Sequence, residues 1–179
     1  MLQKSNTLQV LKPFFIEPNK EHYLIDISRN IRLAHTSVKT NLIKLVKEGL
    51  IQEKILKKGR RRFPVYNAIT NNKEFKRQKI LNNIKSLYDS GFVDFLEDKL
   101  APRAIVLFGS YRRGEDTEDS DIDIFIEGIE EEINLTVLEK EFKRKIQLHF
   151  KKDFTEYSKE LKNNIINGIV LQGFLEGYK

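Results

Sequence analysis

The 179-residue chain contains no cysteine and only three histidines, which removes several kinds of chemistry from consideration. Without cysteine there is no disulfide framework, no thiolate nucleophile and no cysteine-based zinc site. The three scattered histidines do not favour a histidine cluster either. Any metal site in this chain is therefore expected to use oxygen ligands.

Long apolar runs are also absent from the sequence. No stretch approaches the roughly 20 apolar residues that a membrane-spanning helix needs, and the N-terminal stretch MLQKSNTLQV lacks the layout of a signal peptide. We therefore expect a soluble, cytoplasmic protein. Hydrophobic residues make up 40% of the chain, which is enough to form one medium-sized core or two small ones.

Charge is distributed unevenly along the chain. Residues 1–79 contain 18 Lys and Arg against 6 Asp and Glu, a net charge of +12. Residues 80–179 contain 14 Lys and Arg against 20 Asp and Glu, a net charge of −6. Such segregation predicts a part that faces nucleic acid, joined to a part with a different role.

The basic part of the sequence begins with three segments that favour helices. Apolar residues recur at helical spacing from Asn6 to Ile16. The stretch EHYLIDISRNIRL predicts a short extended piece that runs into a second helix, with Asp26 or Ser28 as its cap. A third amphipathic helix is predicted over HTSVKTNLIKLVK, and Gly49 is expected to end it.

A β-hairpin is predicted to follow these helices. The stretch LIQEKILKKGRRRFPVYNAI contains two runs that favour strands, with Gly59 at the turn, and five of the six residues 57–62 are cations. The helices, the hairpin and the phrase LIKLVKEGLIQEK resemble the winged helix-turn-helix family of DNA-binding domains over residues 5–70. Some winged domains serve only protein contacts, but these cations favour DNA because they repel each other unless a polyanion is bound.

The resemblance implies two sets of DNA contacts. Residues of the third helix would face the major groove: His35, Thr36, Ser37, Lys39, Thr40 and Lys44. Cations of the hairpin would lie along phosphates or in the minor groove: Lys57, Lys58, Arg60, Arg61 and Arg62. The expected partner is double-stranded DNA, and no feature of the sequence indicates a target site.

Residues 71–100 form a predicted helical connector. Apolar positions recur at helical spacing on both sides of the stretch DSG, residues 89–91, which predicts a long helix, a break and a second helix. We interpret this connector as structural. Its apolar stripe would also serve to pair two copies of the chain, so a homodimer is an alternative expectation.

The acidic part of the sequence contains a pattern suited to an oxygen-ligated metal. The apolar run AIVLF predicts a buried strand, and Gly109 and Ser110 follow it, where backbone N–H groups at a turn can hold phosphate oxygens. In the later stretch DIDIFIE, alternation places Asp121, Asp123 and Phe125 on one face of a strand and three isoleucines on the other. Two carboxylates on one strand face can both reach one Mg²⁺ ion.

The stretch GSYRRGEDTEDSDID, residues 109–123, resembles the signature of the minimal nucleotidyltransferases of the DNA polymerase β superfamily. The likeness covers residues 101–179, including a predicted helix NLTVLEKEF, a strand RKIQLHF and a C-terminal helix SKELKNNIINGIVLQGFL. It implies three roles: Gly109 and Ser110 hold the triphosphate of a nucleotide, Ser120 supports the turn, and Asp121 and Asp123 are the catalytic, metal-binding carboxylates. A solvated acidic loop is the alternative, but it leaves the flanking strands and the glycines unexplained.

The third carboxylate of that family's signature is missing. Its expected position on the strand KIQLHF is Gln147, because the apolar residues of this strand alternate onto the core face. Glutamine offers a carbonyl oxygen but neither a negative charge nor a base. His149 is an alternative base, although histidine is a poor Mg²⁺ ligand and a histidine on a strand is more often structural. Asp153, six residues beyond Gln147 along an extended strand, would be roughly 20 Å away.

These observations predict an α+β protein with three parts. They are a winged helix-turn-helix domain in residues 1–70, a helical connector in residues 71–100, and a small α/β nucleotidyltransferase-like domain with a mixed sheet in residues 101–179. The first functional hypothesis is a DNA-binding transcription regulator that binds a nucleotide with Mg²⁺ and has weak or no transferase activity. The alternatives are an active enzyme that transfers a nucleoside monophosphate to a protein, RNA or small molecule, and an antitoxin-like protein that binds a partner.

Overall fold

The computed structural model describes residues 5–151 and 157–176 of the chain, apart from the Lys58 side chain. The chain divides into two compact units, residues 1–79 and 80–179. This division coincides with the reversal of charge along the sequence. Among the described helices, none is long and apolar enough to cross a membrane.

The first unit is built from helices followed by a β-hairpin. Its elements are α1 (Asn6–Ile16), α2 (Leu24–Ile31), α3 (His35–Lys47), β1 (Ile51–Lys58), β2 (Arg61–Ala68) and the start of α4 (Lys73–Asp89). Apolar side chains at helical spacing form its core, among them Val10, Leu11, Phe14 and Phe15 of α1 and Val38, Leu42 and Leu45 of α3. The predicted amphipathic faces of α1 and α3 therefore meet in one core.

The second helix begins earlier than the sequence predicts. α2 starts at Leu24, so Asp26 lies in its first turn, Ser28 lies in its interior, and neither side chain caps its N-terminus. The start is fixed by His22, whose backbone exchanges two hydrogen bonds of 2.9 Å with Tyr66 of β2. Because this pairing satisfies the backbone groups of an extended residue, the chain turns into a helix directly after it.

β1 and β2 pair antiparallel as the predicted hairpin. Lys57 lies opposite Arg62, and Lys58 lies opposite Arg61 in the register. Gly59 at the turn has a φ of 61°, in the left-handed region that favours glycine. The tip of the hairpin thereby gathers cations from both strands.

The predicted connector is helical and breaks at the predicted place. α4 ends at Asp89, and α5 (Phe92–Leu100) begins after Gly91. The boundary between the two units falls within α4. Phe92, Val93 and Leu96 of α5 are buried in the core of the second unit, so this part of the connector contributes to that core.

The second unit contains a four-stranded sheet with helices between its strands. Its further elements are β3 (Ala104–Phe108), α6 (Gly109–Arg113), β4 (Ile122–Glu127), α7 (Thr136–Phe142), β5 (Ile146–Lys151), α8 (Lys159–Ile166) and β6 (Ile169–Gly173). The strand order is β5-β4-β3-β6, in which β5 runs parallel to β4 and the other neighbours pair antiparallel. This is the mixed sheet that the sequence predicts.

Alternation along β4 separates its side chains onto two faces of the sheet. Ile122, Ile124 and Ile126 pack in a core cluster that includes α5. Phe125 packs in a different cluster with Val106 of β3. The odd-numbered positions of β4, which include the predicted metal ligand of that strand, therefore share the face of Phe125.

The end of the chain differs from the prediction of one long C-terminal helix. α8 ends at Ile166, and Ile169–Gly173 forms β6 instead. Gly168 passes so close to β3 that a Cβ there would lie 2.6 Å from Val106 Cγ1 and 2.7 Å from the carbonyl oxygen of Leu107. The stretch IVLQG is extended because it pairs with β3 and satisfies the backbone groups of that strand's open edge.

Candidate functional site

The predicted site lies at the edge of the sheet where β3 ends and β4 and β5 begin. Because β3 is antiparallel to β4 and β5 is parallel to it, these three strand ends meet at one edge. Asp123 is the register partner of Phe108 on one side and of Gln147 on the other. Asp121 directly precedes β4, and Gly109 directly follows β3. The topology therefore brings both predicted carboxylates to the predicted phosphate-binding turn.

Glycine is required at the turn after β3. Gly109 has a φ of 73°, and a Cβ at this position would overlap Oδ2 of Asp123. The backbone of the turn therefore approaches the carboxylate more closely than any residue with a side chain permits. The Asp123 side chain is still 25% exposed, so a ligand from solvent can reach it.

Gln147 occupies the position predicted for the third carboxylate. Its amide Nε2 donates a short hydrogen bond to Oδ2 of Asp121. This contact satisfies one lone pair of Asp121 and adds no negative charge to the site. Within residues 5–151 and 157–176, no group of three or more His, Cys, Asp or Glu side chains is arranged to hold a metal ion. Among those residues the acidic ligand set of the site is therefore limited to two carboxylates.

His149 lies beside the second carboxylate but is held by packing. Its Nε2 is 3.6 Å from Oδ1 of Asp123 and makes no hydrogen bond among the described residues. The imidazole packs edge-on against Phe108, with 5.1 Å between the ring centroids. Histidine therefore adds an aromatic contact and no oxygen ligand at this edge of the sheet.

The two serines of the predicted signature have different surroundings. Ser110 lies in α6, and its carbonyl oxygen accepts a hydrogen bond of 3.0 Å from the Glu115 N–H. Ser120 closes a turn, because its Oγ accepts a hydrogen bond of 2.9 Å from the Thr117 N–H and its own N–H donates to the Thr117 carbonyl oxygen. Ser120 thus shapes the segment that delivers Asp121 to the site.

A buried polar network, which the sequence pattern does not reveal, holds the loop before β4. Asp116 and Arg144 form an ion pair of 3.2 Å, with side chains that are 1% and 3% exposed. Asn83 of α4 donates to Asp116 at 3.0 Å and to the Tyr111 carbonyl oxygen at 2.9 Å. Arg144 also donates to the carbonyl oxygen of Glu118 at 3.1 Å. The loop is therefore fixed both by α4 and by Arg144, which lies two residues before β5.

The sequence contains only a weak signal for this network. Asp116 lies in the acidic stretch EDTEDSD. It is buried whereas its neighbours Glu115 and Asp119 are exposed, and the sequence does not mark this difference. Asn83, however, lies three residues after Ile80, on the apolar side of α4 that also carries Leu87. A polar residue within an apolar stripe indicates a buried hydrogen bond, because a buried amide without a partner is costly.

The network changes the chemistry of one neighbouring side chain. Burial raises the pKa of the Tyr111 phenol well above its usual range, and the negative charge of Asp116 raises this pKa further. The positive charge of Arg144 acts in the opposite direction and lowers it. The Tyr111 phenol therefore stays neutral at physiological pH, and the side chain packs in the core of the second unit.

The residues predicted to contact DNA lie on α3 and at the hairpin of the first unit. The α3 side chains of His35, Thr36, Lys39, Thr40 and Lys44 are exposed, and Ser37 is half-buried. The exposed hairpin side chains are Lys57, Arg60, Arg61 and Arg62. These positions stand as a predicted DNA-contact set.

Comparison with known proteins bears on the second unit. Residues 90–171 match the family model described as "Nucleotidyltransferase domain". A stretch of 49 residues is 49% identical to a Methanocaldococcus jannaschii protein named "Putative protein adenylyltransferase", and it covers 27% of this chain and 48% of that protein. The chain thus spans about half the length of this curated relative.

A solved structure from Methanosarcina mazei Go1, described as "Possible transcriptional regulator", is 22% identical and covers 55% of this chain and 80% of that chain, with a TM-score of 0.36. The family match encloses the site, since Gly109, Asp121 and Asp123 all fall within residues 90–171. This part of the chain is therefore similar to a nucleotidyltransferase domain.

Proposed function

We propose that the chain is a DNA-binding regulator whose nucleotidyltransferase domain binds a nucleotide with Mg²⁺ and has weak or no transferase activity. The contact between Gln147 and Asp121 carries this proposal. An amide donor stands where the family resemblance calls for a third carboxylate, while the turn and the other two carboxylates are in place. More residues of the site therefore support nucleotide binding than support catalysis.

The described donor atoms fit a divalent cation bound together with a nucleotide. Asp121 and Asp123 would hold Mg²⁺, which prefers oxygen ligands and is usually bound by one or two carboxylates plus substrate phosphates. A bound Mg²⁺ neutralises phosphate charge. Gly109 and Ser110 would hold phosphate oxygens with backbone N–H groups at the turn after β3, which lies against the Asp123 carboxylate.

The proposed weakness of the transfer follows from the lack of a suitable base among residues 5–151 and 157–176, which do not include Asp153. A general base must lie within hydrogen-bond reach of the proton it removes and must be able to accept it. The Gln147 amide is neutral and already donates to Asp121. His149 is packed against Phe108, and its Nε2 faces Asp123 at 3.6 Å. The site therefore positions a nucleotide better than it activates an acceptor.

A transfer assay tests this reading of Gln147. Parent, Gln147→Asp and Gln147→Asp/Asp123→Ala proteins are incubated with α-labelled nucleotide, Mg²⁺ or Mn²⁺, and candidate protein and RNA acceptors. We expect label transfer to rise at least about tenfold in Gln147→Asp, because a carboxylate adds both charge and a base, and to vanish in the double variant. Rapid transfer by the parent protein would contradict the proposal of weak activity.

We also propose that the first unit binds double-stranded DNA as a winged helix-turn-helix. The support is the exposed cation set at the hairpin tip and the net charge of +12 in residues 1–79. Affinity for duplex DNA should fall steeply as the salt concentration rises. In Arg60→Ala/Arg61→Ala/Arg62→Ala, the slope of log affinity against log salt concentration should decrease by an amount that corresponds to up to about three phosphate contacts. A matched variant that neutralises Lys47, Lys73 and Arg77 should show the same salt dependence of DNA binding as the parent. An affinity that does not change with salt concentration would contradict DNA binding.

A second candidate function is nucleotidyl transfer onto a protein. It is favoured by the relative named as a protein adenylyltransferase and by the close approach of Gly109 to Asp123. In the transfer assay, parent protein that labels a protein acceptor and loses this activity in Asp121→Ala/Asp123→Ala would favour this candidate over the regulator. Absence of label on every protein acceptor would count against it.

A further inference from the structure

The outward face of α3 carries one large apolar side chain. Ile43 is 58% exposed, whereas Val38, Leu42 and Leu45 of the same helix are buried in the core of the first unit. Every residue of α3 is described, and Ile43 is the only exposed large apolar residue among them. The core therefore does not use this side chain, and the predicted DNA-contact set does not include it.

Helical spacing places Ile43 beside residues that are predicted to contact DNA. Side chains three and four residues apart are neighbours on a helix surface. Thr40 and Lys39 precede Ile43 by these two distances, and Thr36 lies one further turn along the same face. All three of these side chains are exposed. Ile43 therefore belongs to the face of α3 that is proposed to meet DNA.

Two hydrogen bonds help to fix the orientation of α3. The Thr7 hydroxyl of α1 donates to Oδ1 of Asn41 at 2.7 Å. The buried Ser28 hydroxyl of α2 donates to the carbonyl oxygen of Leu33 at 2.6 Å, in the turn before α3. A helix held in this way keeps its exposed side chains in fixed positions, which specific recognition of a ligand requires.

The charge around Ile43 favours a nucleic acid over an apolar protein surface. The helix α3 contains three lysines and no acidic residue, and residues 1–79 carry a net charge of +12. Lys44 pairs with Glu48 at 3.9 Å, whereas Lys39 forms no ion pair among the described residues. An apolar protein surface that covered Ile43 would remove water from the Lys39 ammonium group without supplying a partner charge. The phosphates of a duplex supply that charge, and its major groove admits a helix.

The bases offer one group that suits an aliphatic side chain in the major groove. Each base pair displays hydrogen-bond donors and acceptors there, and thymine adds an apolar C5-methyl group. Thr40 brings a second apolar group to the same face, because its hydroxyl donates to the Thr36 carbonyl oxygen at 3.0 Å and its methyl group is left for apolar contact. Ile43 and Thr40 thus form a small apolar patch within a polar face.

We propose that Ile43 and Thr40 recognise thymine in the major groove through its C5-methyl group. The inference rests on the proposed DNA binding by the first unit and deepens it by naming a base that α3 recognises. Ile43 is then a specificity-determining residue, whereas Lys39 and the hairpin cations supply affinity for the phosphates.

The test begins with selection of a preferred duplex from a random library by the full chain. Each thymine of that duplex is then replaced in turn by deoxyuridine, which removes only the C5-methyl group and keeps the base pair. Fluorescence anisotropy measures the affinity for each duplex. At one or two thymines we expect the replacement to weaken binding by the parent about three- to fivefold, which corresponds to the loss of one buried methyl contact.

Variants of Ile43 connect this preference to the side chain. Ile43→Ala should bind the selected duplex more weakly and should lose most of the difference between thymine and uracil, while Ile43→Val should keep part of that difference. Ile25→Ala is the matched control, since Ile25 of α2 is 48% exposed. It should keep the parent's preference for thymine. Circular dichroism verifies that all three variants are folded.

The outcomes separate this inference from DNA binding itself. If the parent binds the selected duplex and no replacement of thymine by uracil changes its affinity, the inference is overturned and DNA binding stands. A preference for thymine that persists unchanged in Ile43→Ala would also overturn it. If Ile43→Ala in addition alters sedimentation, Ile43 belongs to an interface between copies instead. Absence of duplex binding by the parent would contradict the proposed DNA function, and the inference would fail with it.

Discussion

The exposed arginines at the tip of the first unit's hairpin and the buried arginine of the second unit differ in what surrounds them. Arg60, Arg61 and Arg62 are exposed, and no ion pair is formed by them within the part of the chain that the structure describes. Arg144 is 3% exposed and is paired with Asp116 at 3.2 Å. The hairpin cations are exposed to solvent, whereas Arg144 holds the loop that leads to the candidate site.

This difference has energetic consequences. A buried charge that loses its partner is strongly destabilising, whereas an exposed ion pair contributes little to stability. Removing the buried charge of Arg144 in the second unit is therefore expected to change the stability of the fold and the geometry of the site. Charge at the hairpin is expected to act on association with a polyanion and on its salt dependence.

The largest expected effect is on the stability of the second unit. Arg144→Ala should lower the free energy of unfolding by about 3–5 kcal/mol, because it leaves the charge of the buried Asp116 carboxylate without the guanidinium that neutralises it. Arg113→Ala is the matched control, since Arg113 pairs with Glu115 at 3.0 Å but both side chains are nearly half exposed. It should cost less than about 1 kcal/mol. Urea unfolding measures both variants, and equal losses of stability would contradict a structural role for the buried pair.

A second large effect is expected from adding one methyl group to the site. In Gly109→Ala, the new Cβ would displace the Asp123 carboxylate and strain a left-handed backbone position. Mg²⁺-dependent nucleotide binding should weaken by about 10- to 100-fold, with both carboxylates still present. Gly128→Ala is the control, since its Cβ would meet only ordinary contacts of 3.7–3.8 Å. If both variants bound nucleotide equally well, the close approach of the turn would be irrelevant to binding.

A smaller effect on stability is expected at the hairpin. Arg60→Ala/Arg61→Ala/Arg62→Ala should change the free energy of unfolding by no more than about 0.5 kcal/mol, because the three side chains are exposed. The same variant should lose affinity for duplex DNA. Urea unfolding and a DNA titration of one preparation compare the two quantities. A large loss of stability would show that these cations support the fold rather than a ligand.

The smallest expected effect concerns pH. The pKa of Tyr111 is raised by burial and by Asp116, so above about pH 10 the phenol ionises in the unfolded chain and stays neutral in the folded one. Stability should therefore fall as pH rises beyond about 10. Tyr111→Phe should reduce this fall without abolishing it, since burial also raises the pKa of Tyr66. An unchanged pH dependence of urea unfolding would remove Tyr111 as its source.

Periodicity and glycine positions predicted much of the second unit. Alternation along β4 puts Ile122, Ile124 and Ile126 in one core cluster and Asp123 on the other face, as the sequence predicts. Gly109 predicts a turn, and the structure adds the reason, which is the proximity of the Asp123 carboxylate. These features are local, so a single stretch of sequence contains the information for them.

Long-range pairing accounts for the features that the sequence did not reveal. β6 is extended because it pairs with β3, although its residues continue an apolar pattern from α8. α2 starts early because the extended residue before it pairs with β2. Asp116 and Arg144 are separated by 28 residues, and nothing local marks either of them as buried. Such contacts depend on the assembled fold, which local patterns do not specify.

The proposed function depends on a metal-dependent nucleotide site formed by Asp121 and Asp123. The most direct measurement is isothermal titration of the chain with ATP, GTP, CTP and UTP in excess Mg²⁺, repeated on Asp121→Ala/Asp123→Ala and on the matched variant Asp94→Ala/Asp98→Ala. We expect the parent and the matched variant to bind at least one nucleotide, and the site variant to lose at least about 100-fold in affinity. Absence of binding to all four nucleotides by the parent, or equal binding by the site variant, would contradict the claim.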